Sequence, residues 1–431
     1  MSLQVKHSQS VTYSARAAQS CRLCGANLRH TFVDLGMSPL CESFLQEGQL
    51  GEMEAYYPLH VFACEACLLV QLPEHVSPEN IFDEYAYFSS YSTSWVAHAE
   101  KYCELMMQRL GLGAGSLVVE TASNDGYLLQ HFVKRGIPVL GIEPAANVAR
   151  VAIERNIPTR IDYFGRRLAG EMVSEGIKAD LVVGNNVLAQ VPDLNDFVSG
   201  MKQLLKAEGA ITLEFPHIAT LIAHNQFDTI YHEHFSYFSL FTIQMMARRH
   251  ELKVFDVEEI PTHGGSLRVY LAHAESSRPV DMRVAQLLDR EREAGLHSID
   301  IYSTFAERAR QVKRNLLSFL IRIKEQGSSV CGYGAPGKGN TLLNYCAIGT
   351  DFLDFTVDRN PYKHGRYTPG MHIPILPVEA IDARKPDYIL ILPWNLKDEI
   401  VSQMRHVSDW GAKFIVPIPS VSIIDPKEMS Q

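Results

Sequence analysis

The chain has 431 residues, of which 46% are apolar and 21% charged, and a formal charge of −9 at pH 7. At roughly 150 residues per domain this length predicts about three domains, and the composition excludes an intrinsically disordered chain or a fibrous repeat. The acidic balance repels phosphate backbones and argues against a nucleic-acid partner.

No apolar run reaches the about 18 residues needed to cross a membrane, and Met1 to Gln19 is polar without a hydrophobic signal core. A cytoplasmic protein without a membrane partner is therefore expected, and a monomer.

The first domain, residues 1–90, carries two Cys-x-x-Cys knuckles, Cys21-Arg22-Leu23-Cys24 and Cys64-Glu65-Ala66-Cys67. In a reducing compartment such pairs point to a metal before disulfides. Four thiolates complete a closed tetrahedral zinc shell, with no position left for water or substrate, so the site is structural. The alternative is thiols or redox pairs, which would need a βαβ setting that the segment does not show. Phe32 to Leu35 and Tyr57 to Ala63 predict short strands between the knuckles. The metal then supplies folding energy to a segment with little core of its own. An aromatic run follows, Phe82, Tyr85, Tyr87, Phe88 and Tyr91, before a predicted helix from Ser94 to Leu110. These rings serve core packing or aim hydroxyls into a cleft.

Residues 91–275 alternate strand-like runs (Ser116 to Glu120, Pro138 to Glu143, Asp180 to Val183, Ala210 to Phe215) with helical stretches, the pattern of a doubly wound parallel α/β sheet. Ligands in such sheets bind beyond the carboxyl ends of the strands. The first run ends in Glu120-Thr121-Ala122-Ser123-Asn124-Asp125-Gly126, small and polar but not the Gly-x-Gly-x-x-Gly of dinucleotide folds. The second ends in Glu143, where a carboxylate can accept from a ribose diol, and the third leads to Asn185 and Asn186. Together these read as an S-adenosylmethionine site, since that cofactor has no pyrophosphate to cradle. Past Phe215 lies Tyr231-His232-Glu233-His234-Phe235-Ser236-Tyr237, a candidate acid/base cluster; the two histidines could instead ligate a metal or satisfy buried carbonyls. Leu252 to Glu258 and Ser266 to Ala272, joined through Thr262-His263-Gly264-Gly265, predict a closing antiparallel hairpin.

Residues 276–431 begin with helices to Ile323. Gly332-Tyr333-Gly334-Ala335-Pro336-Gly337 is a formal dinucleotide fingerprint after a strand, with Asp358 at the expected distance. Lys338 follows at once, and Arg359, Asn360, Tyr362 and Lys363 suit a ligand with exposed phosphate. A helix N-terminus accepts any nucleotide diphosphate alike. NAD, a nucleotide-linked substrate and a ligand-free turn all remain open at this point.

Over nearly its whole length the chain resembles the S-adenosylmethionine-dependent C-methyltransferases of dTDP-linked 4-keto deoxysugars in antibiotic pathways. The knuckles, Ser123-Asn124-Asp125-Gly126, Tyr231-His232-Glu233-His234 and Gly332 to Thr341 carry the resemblance. It implies a zinc-binding N-terminal domain, a central cofactor domain of Rossmann-like form and a C-terminal pseudo-Rossmann domain that helps bind the nucleotide sugar. It also implies that His234 is the base, with Tyr231, Glu233 and either Tyr85 or Tyr87 lining the sugar site. The substrate is assigned Tyr333, Lys338, Asn340, Lys363 and His263, and the cofactor Glu120, Ala122, Asn124, Asp125, Gly126, Glu143, Asn185 and Asn186. Ala122 departs from the glycine common in the family, and Gln190 stands where histidine is frequent. Methylation at C3 beside the ketone is expected, with C5 the nearest alternative. An NAD-dependent oxidoreductase is the different class, and a zinc-ribbon RNA methyltransferase is opposed by the acidic balance.

Overall fold

The computed structural model describes residues 19–77, 88–91 and 93–428. Phe82, Tyr85 and Tyr87 fall outside them.

Three short strands form in the N-terminal segment, β1 (His30–Ser38), β2 (Tyr57–Ala63) and β3 (Val70–Gln71). The central segment adds β4 (Val118–Thr121), β5 (Val139–Ile142), β6 (Thr159–Arg160), β7 (Ala179–Asn185), β8 (Leu205–Pro216), β9 (Ser236–Tyr237), β10 (Leu252–Ile260) and β11 (Ser266–His273). The C-terminal segment adds β12 (Val330–Tyr333), β13 (Thr356–Val357), β14 (Ile375–Leu376), β15 (Tyr388–Ile391), β16 (Lys413–Val416) and β17 (Ser422–Ile424).

The central sheet has the order β10-β11-β8-β7-β4-β5-β6. The strands from β8 to β6 run parallel, and β4 and β12 are buried along their whole length, as strands covered on both faces must be. The predicted hairpin is β10 and β11, antiparallel to each other and to β8. The helix Thr93–Leu110 buries Ala99, Tyr102, Cys103 and Met106, one face of a 3.6-residue repeat. Because β4 pairs with β5 on one side and β7 on the other, the chain reverses its winding there, and a crevice opens beyond the strand ends. The C-terminal sheet, order β14-β13-β12-β15-β16-β17, is parallel except for β17.

The N-terminal sheet is not a free module. Its order is β1-β2-β3-β9, so β9 from the central segment completes it by pairing Val70 with Tyr237. Phe32 of β1 stacks on Phe305 at 4.5 Å, within one apolar cluster that runs on to Val330 and Ile389 of the C-terminal sheet. Cys21, Cys64 and Cys67 pack instead with the core of the central sheet. The chain between β1 and β2 reaches the C-terminal sheet as well: Leu45 bridges Tyr367, and Glu54 accepts from the Gly370 amide at 2.8 Å. Among the described residues no helix is long and apolar enough to cross a membrane.

Candidate active site

Both knuckles turn their sulfurs inward. The four Sγ atoms of Cys21, Cys24, Cys64 and Cys67 lie within 4.8 Å of one another, with Cys21 to Cys67 and Cys24 to Cys64 at 3.5 Å. A tetrahedral ion with Zn–S bonds of about 2.3 Å needs sulfurs spaced at just this range. Four crowded sulfurs share little negative charge until a metal neutralises it. The group fits zinc, and its closed shell makes it a scaffold.

A cavity of about 570 Å³ opens where the three segments meet. One end is built by the carboxyl edge of the central sheet. Ala122, Asn124, Glu143, Asn185 and Asn186 are on its wall, with Tyr163 and Phe164 forming an apolar flank. Glu143 accepts from the Asn124 amide at 2.9 Å and from the Ala145 amide at 2.9 Å, which fixes its carboxylate at the tip of β5. Buried Asn185 Oδ1 and Asn186 Nδ2 have no hydrogen-bond partner among the described residues. Orphaned polar atoms in a pocket wall are costly unless a ligand satisfies them. A fixed carboxylate, two asparagine amides with unsatisfied atoms and an aromatic flank fit the ribose, amino acid and purine of S-adenosylmethionine.

Three residues assigned to the cofactor are not on that wall. Asp125 accepts from the Ser90 amide at 3.4 Å and pairs with Arg155 at 3.4 Å, so its side chain closes the turn. Gly126 has φ +77°, and a Cβ there would lie 2.3 Å from Ile157 Cδ1, so packing accounts for this glycine. Glu120 is fully buried within β4, and desolvation first, then Glu143 and Asp125, raise its pKa well above the usual carboxylate range. The turn curls so that Ala122 and Asn124, both at positive φ (52° and 51°), supply the wall instead. Ala122 occupies backbone space natural to glycine.

The cavity is also lined by Tyr231, Glu233, His234, His263, Lys338 and Glu42. His234 Nδ1 lies 3.2 Å from the Thr229 carbonyl oxygen. A carbonyl only accepts, so Nδ1 carries the hydrogen and Nε2 keeps its lone pair. Burial, with His263 and Lys338 nearby, lowers the His234 pKa to about 3, which keeps the ring neutral. Tyr231 packs on it with ring centroids 4.1 Å apart. Burial, assisted by the Glu42 carboxylate, raises Glu233 to about 8, so it is protonated at neutral pH and can donate. His232 faces away and makes an edge contact with Tyr57, 5.9 Å between centroids. The two histidines therefore share no metal. The four-cysteine group is the metal-capable cluster among the described residues.

The Gly-rich turn after β12 is closed by the protein itself. Asp358 Oδ2 accepts from the Ala335 amide at 2.7 Å, so a backbone N–H takes the place that a ribose hydroxyl would have on this carboxylate in a dinucleotide site. A Cβ on Gly334 would lie 2.6 Å from Pro393, and one on Gly337 would lie 2.8 Å from Cys41 Sγ. These glycines are required by protein packing. Glu42 occupies the start of the helix Gly337–Cys346, where a diphosphate was expected, and its carboxylate is held by the Gly337 amide and by Lys363 at 3.6 Å. Lys363 also donates to the Ala335 carbonyl at 2.8 Å. Asn340 donates to the Cys41 carbonyl at 2.6 Å, and Thr341 to the Ile230 carbonyl at 3.1 Å, so this motif stitches the N-terminal loop and the histidine loop together. Tyr333 is buried in its strand. Tyr333, Asn340 and Lys363 are thus absent from the cavity wall, and Lys338 and His263 are on it.

Sequence reasoning missed Glu42, Trp95, Tyr163 and Phe164. Trp95 stacks on His98 (4.9 Å) and meets His263 edge-on (5.2 Å). Nothing local marks these residues, because each reaches the cavity only through tertiary packing.

This architecture is that of a methyltransferase with a zinc-binding N-terminal domain. Residues 21–82 match the family model described as "Putative zinc binding domain", residues 95–257 "Methyltransferase domain" and residues 261–419 "C-methyltransferase C-terminal domain". C-methyltransferase NovU of Streptomyces niveus is 36% identical over 409 residues, 95% of this chain and 97% of that protein. The chain belongs to the S-adenosylmethionine-dependent sugar C-methyltransferase family. Among solved structures, magnesium protoporphyrin IX methyltransferase from Synechocystis PCC 6803 with bound cofactor is 15% identical, covering 44% of this chain and 86% of that one, TM-score 0.32. An S-adenosylmethionine-dependent methyltransferase from Clostridium acetobutylicum ATCC 824 is 8% identical, covering 40% and 90%, TM-score 0.33. At these scores the likeness is slight.

Proposed function

We propose that the chain methylates C3 of a dTDP-linked 4-keto deoxysugar, with His234 as the base that forms the enolate. The observation that supports this reading is the Nδ1 bond to Thr229, which leaves a neutral imidazole Nε2 on a residue lining the same cavity as Asn185 and Asn186. S-adenosylmethionine, when bound, supplies the electrophilic methyl group. Glu143, Asn124, Asn185 and Asn186 would hold it.

A carbon beside a ketone is a far weaker acid than imidazolium, whose ordinary pKa is about 6.5. Proton removal therefore needs the developing charge to be stabilised in place. Tyr231 holds the His234 ring through a tilted ring contact, and protonated Glu233 donates to a sugar hydroxyl or to the ketone region. The cavity wall excludes water from the carbanion carbon and brings donor and acceptor within contact, which supplies much of the acceleration.

His234→Gln keeps a neutral side chain of similar reach. It should bind S-adenosylhomocysteine and dTDP as the parent does, yet lose both deuterium uptake beside the ketone and methyl transfer by about 10²–10⁴-fold. Retained deuterium uptake in that variant overturns the assignment of the base. NMR of the product places the methyl at C3 or at C5, the other carbon beside the ketone.

A further inference from the structure

We infer that the Lys338 ammonium is the group that holds the ketone oxygen as it becomes the enolate oxygen, and that it is not a partner of the diphosphate. This inference rests on the reading that the substrate is a keto sugar and His234 its base.

Lys338 is the second residue of the helix Gly337–Cys346, and its side chain is on the cavity wall with His234 and His263. Among the described residues the hydrogen-bond partner of Nζ is Asn395 Oδ1, at 2.9 Å. An ammonium has three N–H groups, so two remain for a ligand oxygen. The Nζ sits 4.7 Å over the Trp394 ring, and Trp394 Nε1 donates to the buried Asp228 carboxylate at 2.6 Å. Asp228 supplies the counter-charge that keeps a buried ammonium tolerable, with its own pKa raised by burial to about 6.

Base and cation share one support. Asp228 and Thr229 are adjacent in the single turn Phe227–Thr229; the first anchors Trp394 beneath Lys338, and the second fixes the His234 tautomer. Trp394 also packs tightly under Gly264, beside His263, so the hairpin tip is locked to the same group. Lys338 lies close enough to His234 to disfavour its protonation. A fixed cation that opposes imidazolium in the resting site favours an anion placed between them. The other cation of this motif, Lys363, is already bound to Glu42 and to the Ala335 carbonyl.

In the step so assigned, the C3–H bond breaks and the proton moves to His234 Nε2. The electron pair delocalises onto the ketone oxygen against Lys338. S-adenosylmethionine, held by Glu143, Asn124, Asn185 and Asn186, would supply the methyl group that the carbanion carbon takes up, and would keep the electrons of its former methyl–sulfur bond on sulfur.

The test uses the full-length protein in D₂O with a dTDP-linked 4-keto deoxysugar and S-adenosylhomocysteine, so exchange is read apart from methyl transfer. Lys338→Met and Lys338→Gln should lose exchange by about 10²–10³-fold, the effect of removing one oxyanion donor, with S-adenosylhomocysteine and dTDP affinities kept. Lys338→Arg, which keeps the charge, should recover part of the rate. Two results overturn the inference. Exchange retained with weakened dTDP affinity assigns Lys338 to the diphosphate, and exchange retained with both affinities intact leaves it without a role in the step. Failure of the underlying reading looks different: the parent enzyme itself would show no exchange.

Discussion

Two turns in this molecule have the same outline and opposite contents. Each follows a buried parallel strand, β4 or β12, each is rich in small residues, and each leads into a helix. By glycine pattern the second is the better nucleotide site. The structure reverses that ranking. Beyond β4 and its neighbour β7, Asn185 and Asn186 line the cavity, and their buried Oδ1 and Nδ2 atoms have no hydrogen-bond partner among the described residues. Beyond β12, Asp358 satisfies the Ala335 amide, Glu42 sits at the helix start and Pro393 fills the space over Gly334. A glycine motif specifies close backbone approach, and the approaching group can be a ligand or another part of the chain. What separates the two is where the partnerless polar atoms lie: on residues of the cavity wall for Asn185 and Asn186, and away from it for Asn340 and Asn344.

Three substitutions put this contrast at risk. The largest effect is expected for Asn185→Ala on the open side. Losing a hydrogen bond to a charged ligand group costs about 1.5–3 kcal/mol, so S-adenosylhomocysteine affinity measured by calorimetry should fall roughly 10–100-fold. Unchanged affinity would mean that this end of the cavity does not hold the cofactor. On the closed side, Asp358→Ala leaves the buried Ala335 amide unsatisfied and should lower stability to urea by about 1–3 kcal/mol. Neither parent nor variant should bind NAD, and heat evolved on titrating NAD into the parent would break the contrast outright. The smallest effect belongs to Ala122→Gly. An alanine at left-handed φ costs about 1–2 kcal/mol, and glycine gives back roughly 0.5–1 kcal/mol as backbone entropy. The melting temperature should therefore rise slightly, and a fall would show that the Ala122 methyl contributes packing that exceeds its strain.

Much of the framework was legible in the residues. The knuckle spacing marked the four sulfurs that converge, because two x-x turns and a ribbon leave thiolates little other arrangement. The parallel strands, the hairpin β10 and β11 and the helix Thr93–Leu110 fell where apolar periodicity placed them. That Glu143, Asn185, Asn186 and His234 line the cavity was readable because strand ends and a dense polar loop are local features. Glu120, Asp125 and Gly126 were misplaced relative to the wall because the direction of a side chain within a turn depends on φ, and positive values at Ala122 and Asn124 rotate the sequence of wall and interior positions. Lys363 and Asn340 were misplaced because their partners, Glu42 and Cys41, lie about 300 residues away along the chain.

The sequence alone determined the chemistry available to this protein: four thiolates for a metal, an acidic strand end, a histidine-rich loop and a lysine after a glycine turn. These follow from residue type and short-range spacing, which local backbone geometry constrains directly. Tertiary structure decided which of them meet. The N-terminal sheet takes β9 as its last strand, and Thr341 and Asn340 tie the histidine loop and the Cys41 loop to one helix. One cavity therefore contains groups from all three segments. Long-range pairing of this kind depends on which buried polar groups find each other when separate cores pack, and no window of sequence contains both partners.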